Sequence, residues 1–174
     1  MHVARETLPA IGVVGLGLLG HAISSRLLKA GHVVVGFDVL PERVAALTAL
    51  GGNAAPSAAA VAQSAEAVCT LLPSLATAES AIVGRDGVLA GAHAGLTVIQ
   101  MSTISPALTE KLAQKVSERQ VGFLDCPVSG TSSMVERGDG VFFVGGTACS
   151  LSAGARSSRL FCHAPSTWVA WARP

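Results

Sequence analysis

The sequence predicts an α/β fold built on a doubly wound, mainly parallel sheet, and three observations predict it. A short apolar run at 11–14 leads into the series Gly15-Leu16-Gly17-Leu18-Leu19-Gly20, and a helical pattern follows at once. Strand-like and helix-like stretches then alternate as far as Gly145-Gly146. Half of the 174 residues are hydrophobic, only 13% are charged, and alanine and glycine abound, which suits helices packed close on strands around one substantial core.

The run 11–14 is partly β-branched and ends on glycine, as a buried strand feeding a tight turn does. At 18–30 the apolar positions Leu19, Ala22, Ile23, Leu27 and Leu28 fall at helical spacing. Gly31 stops that helix as a C-cap residue would, and 33–37 reads as a second buried strand with Asp38 at its carboxyl end. Pro41 suits the first turn of a helix through Val44, Leu47 and Leu50 that stops at Gly51-Gly52. Ser57 supplies the N-cap of a short alanine-rich helix, and 67–72 reads as a strand, broken by Pro73 before a helix at 76–83. A strand at 97–101 precedes Ser105-Pro106, which opens an amphipathic helix with Leu108, Leu112, Ala113 and Val116 turned inward. The last strands are 121–124 and 141–144. In such a sheet ligands bind beyond the carboxyl ends of the strands, and Gly20, Asp38, Pro73, Ser102 and Asp125 all fall at or near those ends.

Residues 10–146 form one domain on this reading, and the character of the chain changes at 147–174. That stretch holds three arginines, both tryptophans and two cysteines but no Asp, Glu or Lys, and neither helical nor strand periodicity. It reads as an irregular tail or, the favoured alternative, as the product of a shifted reading frame near Thr147. Translating the other frames of the encoding DNA tests the second reading.

A net charge of +1, the lack of a basic run and the scarcity of aromatic side chains set nucleic acid aside as a partner. Cys69, Cys126, Cys149 and Cys162 show neither a C-x-x-C pair nor metal-ligand spacing and read as reduced thiols, so no metal and a cytoplasmic protein are expected. Arg5 and the apolar stretch 11–19 imitate a short secretory signal, but glycines at the spacing of a nucleotide turn argue against it. No apolar run is long enough to span a bilayer, and no membrane association is expected.

A dinucleotide needs a backbone that approaches its pyrophosphate without side-chain obstruction and presents helix N-terminal amides to it. Gly15 permits the tight turn, Gly17 the close approach, and Gly20 the packing of helix on strand. Such a series alone is a weak signal; between a strand and a helix, with Asp38 ending the second strand, it marks a Rossmann-type site. A carboxylate there accepts from ribose hydroxyls, worth about 1.5–3 kcal/mol, and repels a 2′-phosphate by about 1–4 kcal/mol per charge at contact, so NAD is preferred over NADP. The plainer role for Asp38 is to cap the Pro41 helix, and the two roles are compatible.

Four motifs carry a family resemblance: Gly15-Leu16-Gly17 with Gly20, Leu72-Pro73-Ser74, Met101-Ser102-Thr103-Ile104-Ser105-Pro106, and Asp125-Cys126-Pro127-Val128-Ser129-Gly130. With them the stretch 11–146 resembles the β-hydroxyacid dehydrogenase family, the group of 3-hydroxyisobutyrate dehydrogenase, tartronate semialdehyde reductase and the NADP-binding half of 6-phosphogluconate dehydrogenase. The resemblance implies a cofactor contacted by Gly15, Leu16, Gly17, Leu18, Leu19, Gly20, Asp38, Leu72, Pro73 and Thr103. It also implies a substrate carboxylate held by Ser129, Gly130 and Thr131. Physically, Ser129 and the amides of Gly130 and Thr131 read either as an anion-binding nest or as an ordinary turn after Pro127. His21 reads as a helix-start residue, Cys126 as packing and Asp125 as structural.

The activity implied is hydride transfer between NAD and a small carboxylate-bearing 3-hydroxy acid, with a lysine exchanging the hydroxyl proton. In the family that lysine lies in a second, helical domain, which is expected to be absent here. Lys29, Lys111 and Lys115 read as solvated surface residues, so no catalytic residue is assigned. Thr131 stands where the family has a second glycine, which points to a substrate other than 3-hydroxyisobutyrate. The alternatives are an inactive nucleotide-binding remnant and an enzyme similar to imine reductases. A short-chain dehydrogenase is excluded, because its Tyr-x-x-x-Lys dyad needs a tyrosine and there is none. An apolar face left bare by the missing half would favour a homo-oligomer.

Overall fold

The computed structural model describes residues 9–146 and the backbone of a strand at 168–172. The elements are β1 (Ile11–Val14), α1 (Leu18–Lys29), β2 (Val34–Phe37), α2 (Pro41–Ala49), β3 (Asn53–Ala54), α3 (Ala58–Gln63), β4 (Ala67–Thr70) and α4 (Leu75–Val83). A 3-10 turn at Val88–Ala90 leads to β5 (Thr97–Gln100), α5 (Pro106–Ser117), β6 (Gly122–Asp125), β7 (Val128–Ser129), α6 (Ser132–Arg137), β8 (Val141–Gly146) and β9 (Trp168–Ala172).

Local chemistry sets most of these boundaries. Ser57 Oγ accepts the Ala60 N–H at 3.1 Å and so caps α3, and Ser105 caps α5 through the Leu108 N–H. Pro41 and Pro106 open α2 and α5, where a missing N–H costs nothing. Gly31 and Gly51 follow α1 and α2 at φ of 90° and 94°, left-handed values that end a helix. The strand expected at 67–72 stops at Thr70. Leu72 turns its N–H from the ladder to Ser102 Oγ at 2.7 Å, and Pro73 has no N–H to give.

The sheet runs β3-β2-β1-β4-β5-β6-β8-β7, with β9 added alongside β8. Pairs from β3 to β6 are parallel, whereas β8 is antiparallel to both β6 and β7. β6 and β7 act as one strand bent at Cys126-Pro127. β6 pairs with Gly145 and Gly146, β7 with Val141 and Phe142, and Phe143 donates its N–H to the Pro127 carbonyl between them.

Successive strand residues feed opposite faces. Ile11, Val13, Cys69 and Phe142 pack with Ile23 and Leu27 of α1 and Val135 of α6. Val14, Val68, Val98 and Phe123 pack with Val61 of α3, Ile82 of α4 and Leu108, Leu112 and Val116 of α5. The inward face expected of α5 is therefore the one buried. The chain winds one way from β1 to β3 and the other way from β4 to β6, so the switch point lies between β1 and β4. That is where a doubly wound sheet opens its ligand crevice.

Besides the two-residue strands β3 and β7, α6 and β9 depart from the expected pattern. α6 forms where no element was expected, directly after the segment 129–131 read as a nest or a turn, started by the Thr131 hydroxyl on the Met134 N–H and ended by Gly138 at φ 94°. β9 lies within the stretch expected to be irregular, pairing in parallel with 142–146. A run of five residues, Trp168–Ala172, is too short to show a period, and an existing strand edge supplies its order. The frame shift expected near Thr147 lies outside the described residues. No helix among the described residues is long and apolar enough to cross a membrane.

Candidate cofactor site

A cavity of about 890 Å³ opens over the carboxyl ends of β1, β2, β4 and β5. Its floor is the β1–α1 turn. Gly15, at φ +92°, lies so close to the peptide of Leu71 that a Cβ there would collide with the carbonyl, and a Cβ on Gly20 would collide with the carbonyl of Gly15. These two glycines are required by the protein itself. Gly17 is different. Its φ of −63° suits any residue, and a Cβ would meet nothing nearer than Arg43 Nη1 at 3.8 Å. The fold itself therefore does not require glycine here, and the space above Gly17 is open to the cavity.

Gly17 is also the N-cap of α1 and offers no side-chain acceptor, and the first turn carries no acid. The leading N–H groups of a helix have no partner within it, so the positive end of a twelve-residue dipole faces the cavity with no acid in its own first turn. Anions bind at such ends.

Asp38 stands beside this turn, 9% exposed. Its Oδ2 accepts the Leu16 N–H at 2.7 Å and lies 3.3 Å from Arg43 Nη1, while Oδ1 accepts the Leu40 N–H at 3.0 Å. The last bond fixes the entry to α2, so the capping role coexists with the position beside the cavity. An ionised carboxylate has about four acceptor sites. Three are in use, and the Arg43 side chain that takes one of them is 45% exposed.

The opposite wall is held by Gln100, buried at the end of β5. Its Oε1 accepts the Ser102 N–H and its Nε2 donates to the Ser102 carbonyl, both at 2.7 Å. Nε2 also reaches Asp125 Oδ1 at 3.5 Å. Burial pushes the Asp125 carboxyl above its ordinary value, and the Gln100 contact partly offsets this. Burial alone pushes the Cys69 thiol up to about 12. It also raises Cys126, where Cys69 and Asp125 add to the effect.

Of the residues expected to meet the cofactor, Gly15, Gly17, Leu18, Leu19, Gly20, Asp38, Leu72, Pro73 and Thr103 line the cavity. Leu16 does not: its side chain is 3% exposed in the core and its amide is taken by Asp38. Ser129, Gly130 and Thr131 are exposed beyond the cavity, and Val128 is the last residue of that motif on its wall. Arg43, Thr77, Ser80 and Arg85 also line it. They sit on the helices or at a helix end facing the crevice, and the strand-end rule does not single them out.

The sequence matches the family described as the NAD binding domain of 6-phosphogluconate dehydrogenase over residues 10–156. This chain belongs to that family. It is 36% identical over 135 residues to 2-(hydroxymethyl)glutarate dehydrogenase of Eubacterium barkeri, which covers 78% of this chain and 45% of that protein. It is 37% identical over 138 residues to the NAD-dependent L-serine dehydrogenase of Pseudomonas aeruginosa, covering 79% and 46%. The fold superposes on the crystal structure of 3-hydroxyisobutyrate dehydrogenase from Salmonella typhimurium with a TM-score of 0.84 at 28% identity, covering 94% of this chain and 56% of that one. The chain thus spans about half the length of the relatives it matches. The expected family, the Rossmann-type sheet and NAD as cofactor all agree with these likenesses.

Proposed function

We propose that this chain is the NAD-holding part of a dehydrogenase of small 3-hydroxy acids, and that NAD lies in the crevice between β1 and β4. The observation that carries the reading is the pairing of an uncapped α1 N-terminus, open above Gly17, with a carboxylate locked to the same turn through Leu16. Pyrophosphate occupies the helix end and the adenosine ribose meets Asp38. The second nucleoside then runs the other way, past Leu72-Pro73 to Thr103. Bound there, NAD would supply the acceptor for a hydride from the carbon bearing the substrate hydroxyl.

The substrate carboxylate belongs at Ser129, Gly130 and Thr131, directly after Val128 on the cavity wall. The Thr131 hydroxyl already accepts the Met134 N–H, and its added bulk favours an acid that differs from 3-hydroxyisobutyrate. Proton transfer is assigned to none of the described residues. Lys29, Lys111 and Lys115 pair on the surface with Glu136, Glu79 and Glu118, and none lines the cavity. Those pairings also favour a second reading, that the chain binds the nucleotide without turnover. The free thiols among the described residues, buried at Cys69 and Cys126, suit a reducing, cytoplasmic setting.

Calorimetric titration with NAD and NADP, followed by assay of NADH formation on a panel of 3-hydroxy acids, tests this. NAD binding tighter than NADP, with turnover of one acid, is the expected result. Binding without turnover leaves the second reading standing, and failure to bind either nucleotide overturns both.

A further inference from the structure

Three turns meet along the cavity: the Gly15 turn, which Asp38 holds through Leu16, and, on the side away from Asp38, the Leu71–Pro73 turn after β4 and the Met101–Thr103 turn after β5. The first two are in direct backbone contact, since Gly15 has no room even for a Cβ against Leu71. The second and third are joined by one bond, the Leu72 N–H on Ser102 Oγ at 2.7 Å. Ser102 in turn is held at both its N–H and its carbonyl by the carboxamide of Gln100, and the other hydrogen of that amide points to Asp125 at the end of β6. A single chain of hydrogen bonds therefore crosses three adjacent strand ends.

Gln100 and Asp125 are the members of that chain that do not line the cavity, and Gln100 is the one that holds Ser102. It is 0% exposed and does not line the wall, whereas Leu72, Pro73, Ser102 and Thr103 all do. Its chemistry is specific to the task. The Ser102 N–H requires an acceptor and the Ser102 carbonyl requires a donor, and a carboxamide offers both from one planar group without a change of protonation. A carboxylate at this place would face the Ser102 carbonyl and Asp125 with no hydrogen to give, and an apolar side chain would leave the Ser102 groups without their partners.

We propose that Gln100 is a positioning residue for the nicotinamide half of the cofactor: its carboxamide sets the Ser102–Thr103 turn and, through Ser102 Oγ, the Leu72–Pro73 turn, while taking no part at the adenosine end. This rests on the reading above, that a dinucleotide crosses the crevice with its second nucleoside toward Thr103. Because the clamp serves one end only, its loss separates ligands that reach that end from ligands that do not.

The test compares NADH with ADP-ribose, which lacks the nicotinamide, by titration into the purified full chain. For Gln100→Met, close in shape but without hydrogen-bonding groups, NADH affinity is expected to fall about tenfold while ADP-ribose affinity stays within about twofold. Equal losses for both ligands would mean a general structural role and overturn the proposal, as would no loss for either. If Gln100→Met does not fold, Ser102→Ala removes only the acceptor of the Leu72 N–H and is expected to give the same selective loss, about threefold, with Ser102→Thr restoring the wild-type ratio. An unrestored ratio, or no selective loss, would overturn it. Wild-type chain that binds neither ligand would instead refute the dinucleotide reading, and the proposal with it.

Discussion

The carboxylate of Asp38 accepts the N–H of Leu16 at 2.7 Å, so the acid at the end of β2 and the glycine turn at the end of β1 form one unit. Removing the acid therefore disturbs two things at once. Asp38→Ala is expected to leave the buried Leu16 amide without a partner, lowering stability by about 1–3 kcal/mol, and to weaken NAD binding about tenfold or more. Asp38→Asn keeps the shape but loses the charge, and is expected to narrow the preference for NAD over NADP. Thermal unfolding and calorimetric titration of the same samples separate the two effects. An unchanged NAD-to-NADP ratio in Asp38→Asn would remove Asp38 from cofactor selection.

Arg43 counters that selection. Its guanidinium lies 3.3 Å from Asp38 Oδ2 and faces the same cavity. Half-exposed ion pairs add little stability, about 1 kcal/mol or less, so Arg43→Ala is expected to unfold at nearly the wild-type temperature. With its neutralising partner gone, Asp38 repels a 2′-phosphate more strongly. NADP affinity is expected to fall several-fold further than NAD affinity, read as the ratio of the two dissociation constants. Equal changes would show that Arg43 does not act on this end of the ligand.

Gly17 and Gly20 make opposite predictions though they belong to one motif. Gly20→Ala drives a Cβ into the Gly15 carbonyl, and backbone cannot move aside cheaply. It is expected to destabilise the fold by about 1–3 kcal/mol, as overpacking does. Gly17→Ala meets no protein atom closer than 3.8 Å, so its stability should be unchanged while NAD binding falls at least about tenfold. Circular dichroism melts with and without NAD decide it, and a Gly17→Ala chain that binds NAD normally would show that the pyrophosphate lies elsewhere.

Much of the fold was legible because its signals are local. Ser57, Ser105, Pro41 and Pro106 act at the helix starts where their chemistry places them, and Gly31 and Gly51 at the stops. α6 is only six residues long, too short for periodicity, although Thr131 and Gly138 bracket it with start and stop signals. The bend at Pro127 that makes β6 and β7 one strand depends on β8 arriving alongside, which no local pattern announces. That Asp38 and the glycines meet at one cavity was legible because spacing carries their geometry. Gln100 was not: in the sequence it ends an apolar strand, and its role exists only once its side chain turns toward Ser102.

The buried thiols of Cys69 and Cys126 give a pH dependence whose sign is fixed. Cys69 has its value raised from 9.0 to about 12 by burial, and Cys126 is raised as well. A group whose folded value lies above its unfolded one contributes stability that is whole below the unfolded value and is lost as pH rises toward the folded one. Above pH 9 the unfolded chain releases these protons and the native chain does not, so stability falls by about 1.4 kcal/mol per pH unit for each such thiol. Urea midpoints measured from pH 7 to 10 should be flat to about 8.5 and then decline. At pH 8 the same burial keeps both sulfurs protonated and out of reach, so alkylation mapped by mass spectrometry should spare Cys69 and Cys126 in native protein and modify them in urea. Rapid native labelling of either residue would show that the sheet opens at β4 or at the β6–β7 bend far more often than its packing implies.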